Sequence, residues 1–199
     1  MKFVIRPVRN EEELNMVRSL CYEEYLKKGI CLENTDRQLV HYGGYFDTID
    51  APYGVNYVLV ATLDEVIVGT ISITSSKCTT PIERDFHKEM TSFRGSQRGF
   101  LCVWRLAVSE EHRKNWHIVC ALMNAAIEYA VVADLKYLLC SVSPQRVDTY
   151  KAFGFVKYST NERASEFLNT PAVFVCMPVN VHKPTALLRR YLNRKMRLK

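Results

Sequence analysis

The sequence predicts a mixed α/β fold, and three observations support that reading. Strand-like and helix-like periods follow one another as β, a long helical region, a hairpin, then β-α-β-α-β-β. The 199 residues are 48% hydrophobic, which suits a chain with a full core and argues against general disorder. No linker and no internal repeat breaks the pattern, so a single domain over 1–199 is expected.

Each element has a local reason. "KFVIRPV" at 2 to 8 alternates apolar and polar residues and suits an opening strand. Asn10 then caps "EEELNMVRSLCYEEYLKKG", a helix with acids at its front, lysines at its back and a stop at Gly29. Residues 31 to 54 mix a short helical stretch with Gly-Gly, Asp and Pro and read as an ordered loop. "VNYVLVATL" and "VIVGTISIT", joined by Asp64 and Glu65, form a hairpin. Residues 76 to 98, with His87, Arg94 and Arg98, lack a clear period and are expected to be irregular or partly helical. Strand "FLCVWRLAV", helix 115 to 131, strand "KYLLCSV", the short helical "PQRVDTYKAF", strand "GFVKYS" and strand "AVFVCMPV" complete the order.

Charge and cysteine content exclude several classes of function. Seven of the 27 Lys and Arg lie in 183–199, expected to be a basic C-terminal helix, and the other 182 residues carry 20 basic against 21 acidic side chains. Seven charges at one end make no continuous stripe with interleaved aromatics, so nucleic-acid binding is the weaker alternative class. Cysteines at 21, 31, 78, 102, 120, 140 and 176 are odd in number and lie mostly in apolar runs without a C-x-x-C pair. Buried free thiols are expected, and neither disulfides nor a metal site. The start is neither a signal nor a transit peptide, and Trp116 to Ile127 is too short to span a bilayer, so a soluble cytoplasmic protein without integral membrane association is expected.

The stretch "LAVSEEHRKNWHI" runs from a strand through a charged turn into a helix, and "TYKAFGF" at 149 to 155 carries a Tyr-x-x-x-Gly-Phe ending. Together they resemble the GNAT superfamily of acyltransferases, which implies a mixed, mostly antiparallel sheet with a splayed parallel strand pair, flanked by helices. That family's turn reads Arg-x-x-Gly-x-Gly. Here Arg113 is present, and Trp116 and Ile118 replace the glycines. A diphosphate gripped by backbone N–H groups needs those glycines, whereas phosphopantetheine on a carrier protein has a single phosphodiester and tolerates a bulkier turn. The expected donor is therefore an acyl carrier protein supplying its phosphopantetheine thioester, with no permanently bound cofactor.

Within the superfamily, "LNMVRSLCYEEYLKKGI", "FDTIDAPYGVNYVLVA" and "WRLAV" resemble the autoinducer (N-acyl-homoserine lactone) synthases and the related long-chain N-acyl amino acid synthases. Arg18, Asp47, Asp50 and Arg105 carry over individually. Ser72 stands where the autoinducer synthases have arginine, and Cys102 where they have a glutamate proposed as base. The N-acyl amino acid synthases, exemplified by N-acyltyrosine synthases, are thus the nearer branch. The implied reaction moves a long-chain acyl group to the α-amine of an amino acid such as tyrosine; the enzyme alternative is an acetyl-CoA-dependent N-acetyltransferase.

The resemblance assigns backbone N–H groups of Leu106 and Val108 to the thioester oxyanion and Tyr150 to the general acid for the departing thiolate. A tyrosine that packs its helix on "GFVKY" is the alternative for Tyr150. Arg105, in an otherwise apolar strand, must pair with an acid or bind an anion. It either forms a salt bridge with Asp47 or Asp50, or joins Arg18 at the acceptor's carboxylate. Asp47, Asp50 and Glu33 are candidates to orient the ammonium group, and turn formation also accounts for the two aspartates. The small residues of helix 115 to 131 leave room for an acyl chain, although every core helix needs such a face. Arg189, Arg190, Arg194 and Lys195 of the tail, then Arg113 and Lys114, are the expected docking cations for an acidic carrier protein, against the alternative of a solvated helix end.

Overall fold

The computed structural model describes residues 3–39, 56–76, 80, 82–97, 99–159, 163–164 and 170–179. Asn10 caps α1 (Glu11–Leu26) by accepting the Glu13 N–H at 2.9 Å, and Gly29, at φ +65°, closes the turn that follows. β1 (Val4–Pro7) is tied to this helix through Glu13. Arg6 donates twice to its carboxylate, at 2.7 and 2.8 Å, and Arg9 adds its backbone N–H and Nε.

Those donors, Arg6 first, hold the Glu13 carboxyl down at about 2 although burial pushes the other way. A depressed carboxylate contributes stability that is complete above the unfolded value near 4.5 and is lost as pH falls toward 2. Glu13→Gln is therefore expected to cost about 2 kcal/mol at pH 7, with the difference shrinking toward zero near pH 2. Urea unfolding at pH 7, 4 and 2.5 measures this, and a difference that does not change with pH would refute it.

β2 (Asn56–Leu63) and β3 (Val66–Ser75) form the expected hairpin. Asp64 and Glu65 both take positive φ, +48° and +65°, as a two-residue turn between twisted strands requires. The stretch without a clear period is partly helical, the second of the two forms expected, with α2 (Ile82–Asp85) and α3 (His87–Ser96). Only Met90 and Phe93 of α3 are buried, too few to show a helical period. β4 (Phe100–Val108), α4 (Trp116–Val132), β5 (Tyr137–Val142) and α5 (Val147–Lys151) fall where expected. "GFVKYS" contributes only the two-residue β6 (Val156–Lys157), and β7 (Arg163–Ala164) was not foreseen; β8 (Pro171–Pro178) is the last described strand.

Strands line up as β1-β2-β3-β4-β5-β8-β6, with β7 on β8 off this path. Among the described strands only β4 and β5 pair in parallel. Side chains alternate across the sheet, so Val58, Val60 and Ala107 pack on α1 with Leu14, Val17 and Cys21. On the same face, Phe100, Cys102, Trp104 and Phe174 pack with Phe86, Met90 and Phe93 of the α2–α3 region. The opposite face, including Ile71, Val103 and Val175, receives α4 and α5. Gly69 allows the close approach of α4. A Cβ there would lie 3.1 Å from Ile118 Cγ2 and 3.2 Å from the Ala107 carbonyl oxygen, which is backbone and cannot yield cheaply.

Candidate active site

The site begins with an irregularity in β4. Against β3, Ser72 pairs with Trp104 but Thr70 pairs with Ala107, so β4 spends one residue more than its partner. That residue is Arg105, held at φ +49°. A left-handed backbone costs a side-chain-bearing residue about 1 to 3 kcal/mol, and glycine is the usual occupant of such a bulge. The bulge puts Trp104 and Arg105 side by side, with the guanidinium carbon 4.3 Å from the Trp104 ring centroid. Arg105 is buried, and its Nε donates to Ser72 Oγ at 3.0 Å. The residue that departs from the autoinducer-synthase arginine is thus the residue that anchors Arg105. Thr70 and Thr74, also buried, continue a polar row along this face of β3, and Trp104 Nε1 donates to Thr74 Oγ1 at 3.0 Å.

The bulged strand leaves its parallel neighbour. Pairing between β4 and β5 runs from Phe100↔Tyr137 to Cys102↔Leu139 and ends there. Ser109 N–H goes to the Val68 carbonyl, on the β3 side; alternation then turns the N–H groups of Leu106 and Val108 toward β5, into the gap. A cavity of about 180 Å³ opens at this point. Its wall takes Tyr25, Lys28 and Ile30 from the α1 end, Leu106 and Val108 from β4, Trp116 and Val119 from α4, and Tyr150 from α5. Since α1 and α4 cover opposite faces, the cavity passes through the sheet between the splayed strands.

Tyr150, half-buried, lines this passage. Burial, with Cys140 and Tyr25 nearby, pushes its pKa well above 10. Burial likewise drives the Cys140 thiol to about 12, against a smaller lowering by the Tyr150 hydrogen bond. Tyr25, half-buried near Cys21, Cys140 and Arg105, is raised as well, chiefly by desolvation. Tyr150 also packs edge-on against Phe155 at 5.4 Å, so the packing role and the placement in the cavity coexist.

The turn between β4 and α4 carries its charge on side chains. Arg113 pairs with the buried Glu24, whose other oxygen accepts the Glu110 N–H at 3.0 Å, and Lys28 lies 3.7 Å from the same carboxylate. Trp116 stacks on Phe153 with ring centroids 5.6 Å apart, and Asn115 caps α4 by accepting the His117 N–H. Lys114 is exposed in the turn.

The other expected residues distribute as follows. Arg18 pairs with Glu11 at 3.0 Å and Asn15 at 2.7 Å and does not line the cavity, and Glu33 is exposed in the loop after α1. The structure therefore does not bring Arg18 or Glu33 to the Tyr150 cavity. Asp47, Asp50, Arg189, Arg190, Arg194 and Lys195 lie outside the described residues. Sequence reasoning missed Tyr25, Lys28, Cys140 and Arg146. Tyr25 lies four residues after the buried Cys21, so helical spacing alone places it on the inward face. Among the described residues, no group of three or more His, Cys, Asp or Glu could hold a metal, and no helix is long and apolar enough to cross a membrane.

Comparison with solved structures identifies the fold. The structure of FeeM, an N-acyl amino acid synthase from uncultured soil microbes, matches with a TM-score of 0.77 at 19% identity, covering 94% of this chain and 97% of that one. BjaI, a CoA-dependent acyl-homoserine lactone synthase, matches with a TM-score of 0.67 at 12% identity over 97% of this chain and 89% of its own. A GNAT-family acetyltransferase from Streptococcus pneumoniae gives 0.60 at 18% identity, over 89% and 99%. No curated protein matches the chain in sequence. The family model described as N-acyl amino acid synthase FeeM matches residues 16–178, which take in most of α1, the bulged β4, the splayed strand pair, Tyr150 and β8. The chain belongs to the FeeM family of N-acyl amino acid synthases, and it is an acyltransferase of the GNAT fold.

Proposed function

We propose that the chain transfers a long-chain acyl group from a pantetheine thioester on an acyl carrier protein to the α-amine of an amino acid, tyrosine being the first acceptor to try. The observation that carries this reading is the gap between β4 and β5, with Leu106 and Val108 N–H on one side and Tyr150 on the other. The thioester carbonyl oxygen accepts from the two N–H groups, which face the charge that develops as the carbonyl carbon becomes tetrahedral. The neutral amine attacks that carbon, a C–N bond forms and the C–S bond breaks. The thiolate takes the Tyr150 proton, and the proton lost by nitrogen passes through water to restore the Tyr150 hydroxyl.

Two faces of the sheet then serve two substrates. The donor arm enters beside Trp116 and the turn, on the α4 side. The acceptor approaches from the α1 side, where Thr70, Ser72 and Arg105 give a polar surface for its carboxylate. The tail cations Arg189, Arg190, Arg194 and Lys195 steer the acidic carrier protein. Overexpression followed by mass spectrometry of cell lipids tests the reading. Long-chain N-acyl amino acids are expected, and their absence would overturn it.

A further inference from the structure

Lys28, Arg113 and Arg146 come from three elements far apart in sequence: the turn ending α1, the turn entering α4, and the 3-10 turn Pro144–Arg146 after β5. All three line the same cavity, together with Ser143 and Thr149. Glu24 faces Lys28 and Arg113, and the exposed Glu110, which also faces Arg113, is itself paired with Lys27, so two carboxylates stand against four cations. The remaining positive charge has a physical signature. Burial lowers the Lys28 pKa, the Arg113 and Arg146 charges lower it further, and Glu24 only partly opposes them. Cations held together around a partly dry cavity repel one another, and an anion placed among them relieves that repulsion.

The backbone alternative is poorly served at this place. Trp116 and Ile118 fill the positions where a glycine turn would let phosphate oxygens reach backbone N–H groups, and Asn115 already occupies the His117 N–H. The Trp116 indole, stacked on Phe153, stands in the cavity wall at the mouth of α4.

We infer that Lys28, Arg113 and Arg146 form an anion subsite that takes the phosphate ester of the pantetheine arm, replacing a glycine turn by side-chain cations. The inference rests on the donor named in the proposed function and adds how this chain recognises it. A phosphate ester arrives on a carrier protein as a single phosphodiester, or on coenzyme A as a diphosphate. The subsite serves either chemistry, and binding experiments separate the two sources.

Calorimetry with pantetheine, 4′-phosphopantetheine and coenzyme A on the full chain tests it. The phosphate is expected to improve affinity at least about tenfold over pantetheine, as charge-assisted hydrogen bonds do. Coenzyme A binding no tighter than phosphopantetheine assigns the subsite to the carrier's phosphodiester; tighter binding of coenzyme A assigns it to a diphosphate. In Lys28→Met with Arg146→Gln the phosphate advantage is expected to fall about tenfold. Arg113 is left in place because its loss would strand the buried Glu24. Should the Lys28 change impair folding, Arg146→Gln alone, at an exposed position, is expected to remove a measurable share of the advantage. Equal affinity for pantetheine and phosphopantetheine, no binding of any of the three, or an advantage unchanged in the folded variants would overturn the inference. The donor reading fails by a separate observation, the absence of N-acyl amino acids from cell lipids.

Discussion

Tyr150→Phe is expected to lower kcat about 100-fold while leaving the fold intact, since general acids contribute about 10² to 10⁴. Phenylalanine keeps the edge-on contact with Phe155 and removes only the hydroxyl. A phenol raised well above 10 looks too weak an acid to protonate a thiolate, whose ordinary pKa is about 8.5. Burial acts on a thiolate in the same direction, as the neighbouring Cys140 thiol, pushed up to about 12, shows. A thiolate released beside Tyr150 is therefore more basic than in water, which favours its taking the proton. Because Tyr150 remains protonated to beyond pH 10, kcat is expected to show no alkaline limb from this group below that value. Single-turnover kinetics of Tyr150→Phe between pH 6 and 10 measures both. An unchanged rate would leave Tyr150 with its packing role alone.

Local chemistry explains which parts of the site were legible in the sequence. The strand through Arg105, the helix after it and Tyr150 follow from short-range patterns, and the structure places Leu106, Val108 and Tyr150 around one cavity. The bulge was not legible because a left-handed residue is signalled by glycine or asparagine, and here it is an arginine. Its position is fixed by the β3 register, a long-range property. The Lys28 and Arg146 convergence was hidden for the same reason: these residues meet only because β5 delivers its following turn opposite the end of α1. Arg18 shows what a motif match leaves out: the match places it with Arg105 at the acceptor, and only the structure shows that α1 also supplies Glu11 and Asn15 within reach of its guanidinium.

Arg105→Lys is expected to raise KM for the amino acid acceptor about tenfold or more, the loss that follows when a forked, charge-assisted contact becomes a point charge. Lysine is the informative replacement because it bears the same left-handed backbone cost as arginine at φ +49°, so the backbone term cancels. It also keeps one positive charge beside Trp104. What disappears is the Nε donor to Ser72 and the planar fork that this bond orients. Ser72→Ala removes the anchor and leaves the guanidinium, so its KM is expected to lie between parent and Arg105→Lys. Neither change touches Leu106, Val108 or Tyr150, and kcat at saturating acceptor is expected to fall far less than in Tyr150→Phe. A purely structural ion pair gives a different pattern: a lowered melting temperature in Arg105→Lys, with acceptor KM unchanged in the fraction that folds. Acceptor KM and melting temperature measured side by side on the two variants separate the roles, and unchanged KM in both would remove Arg105 from the acceptor site.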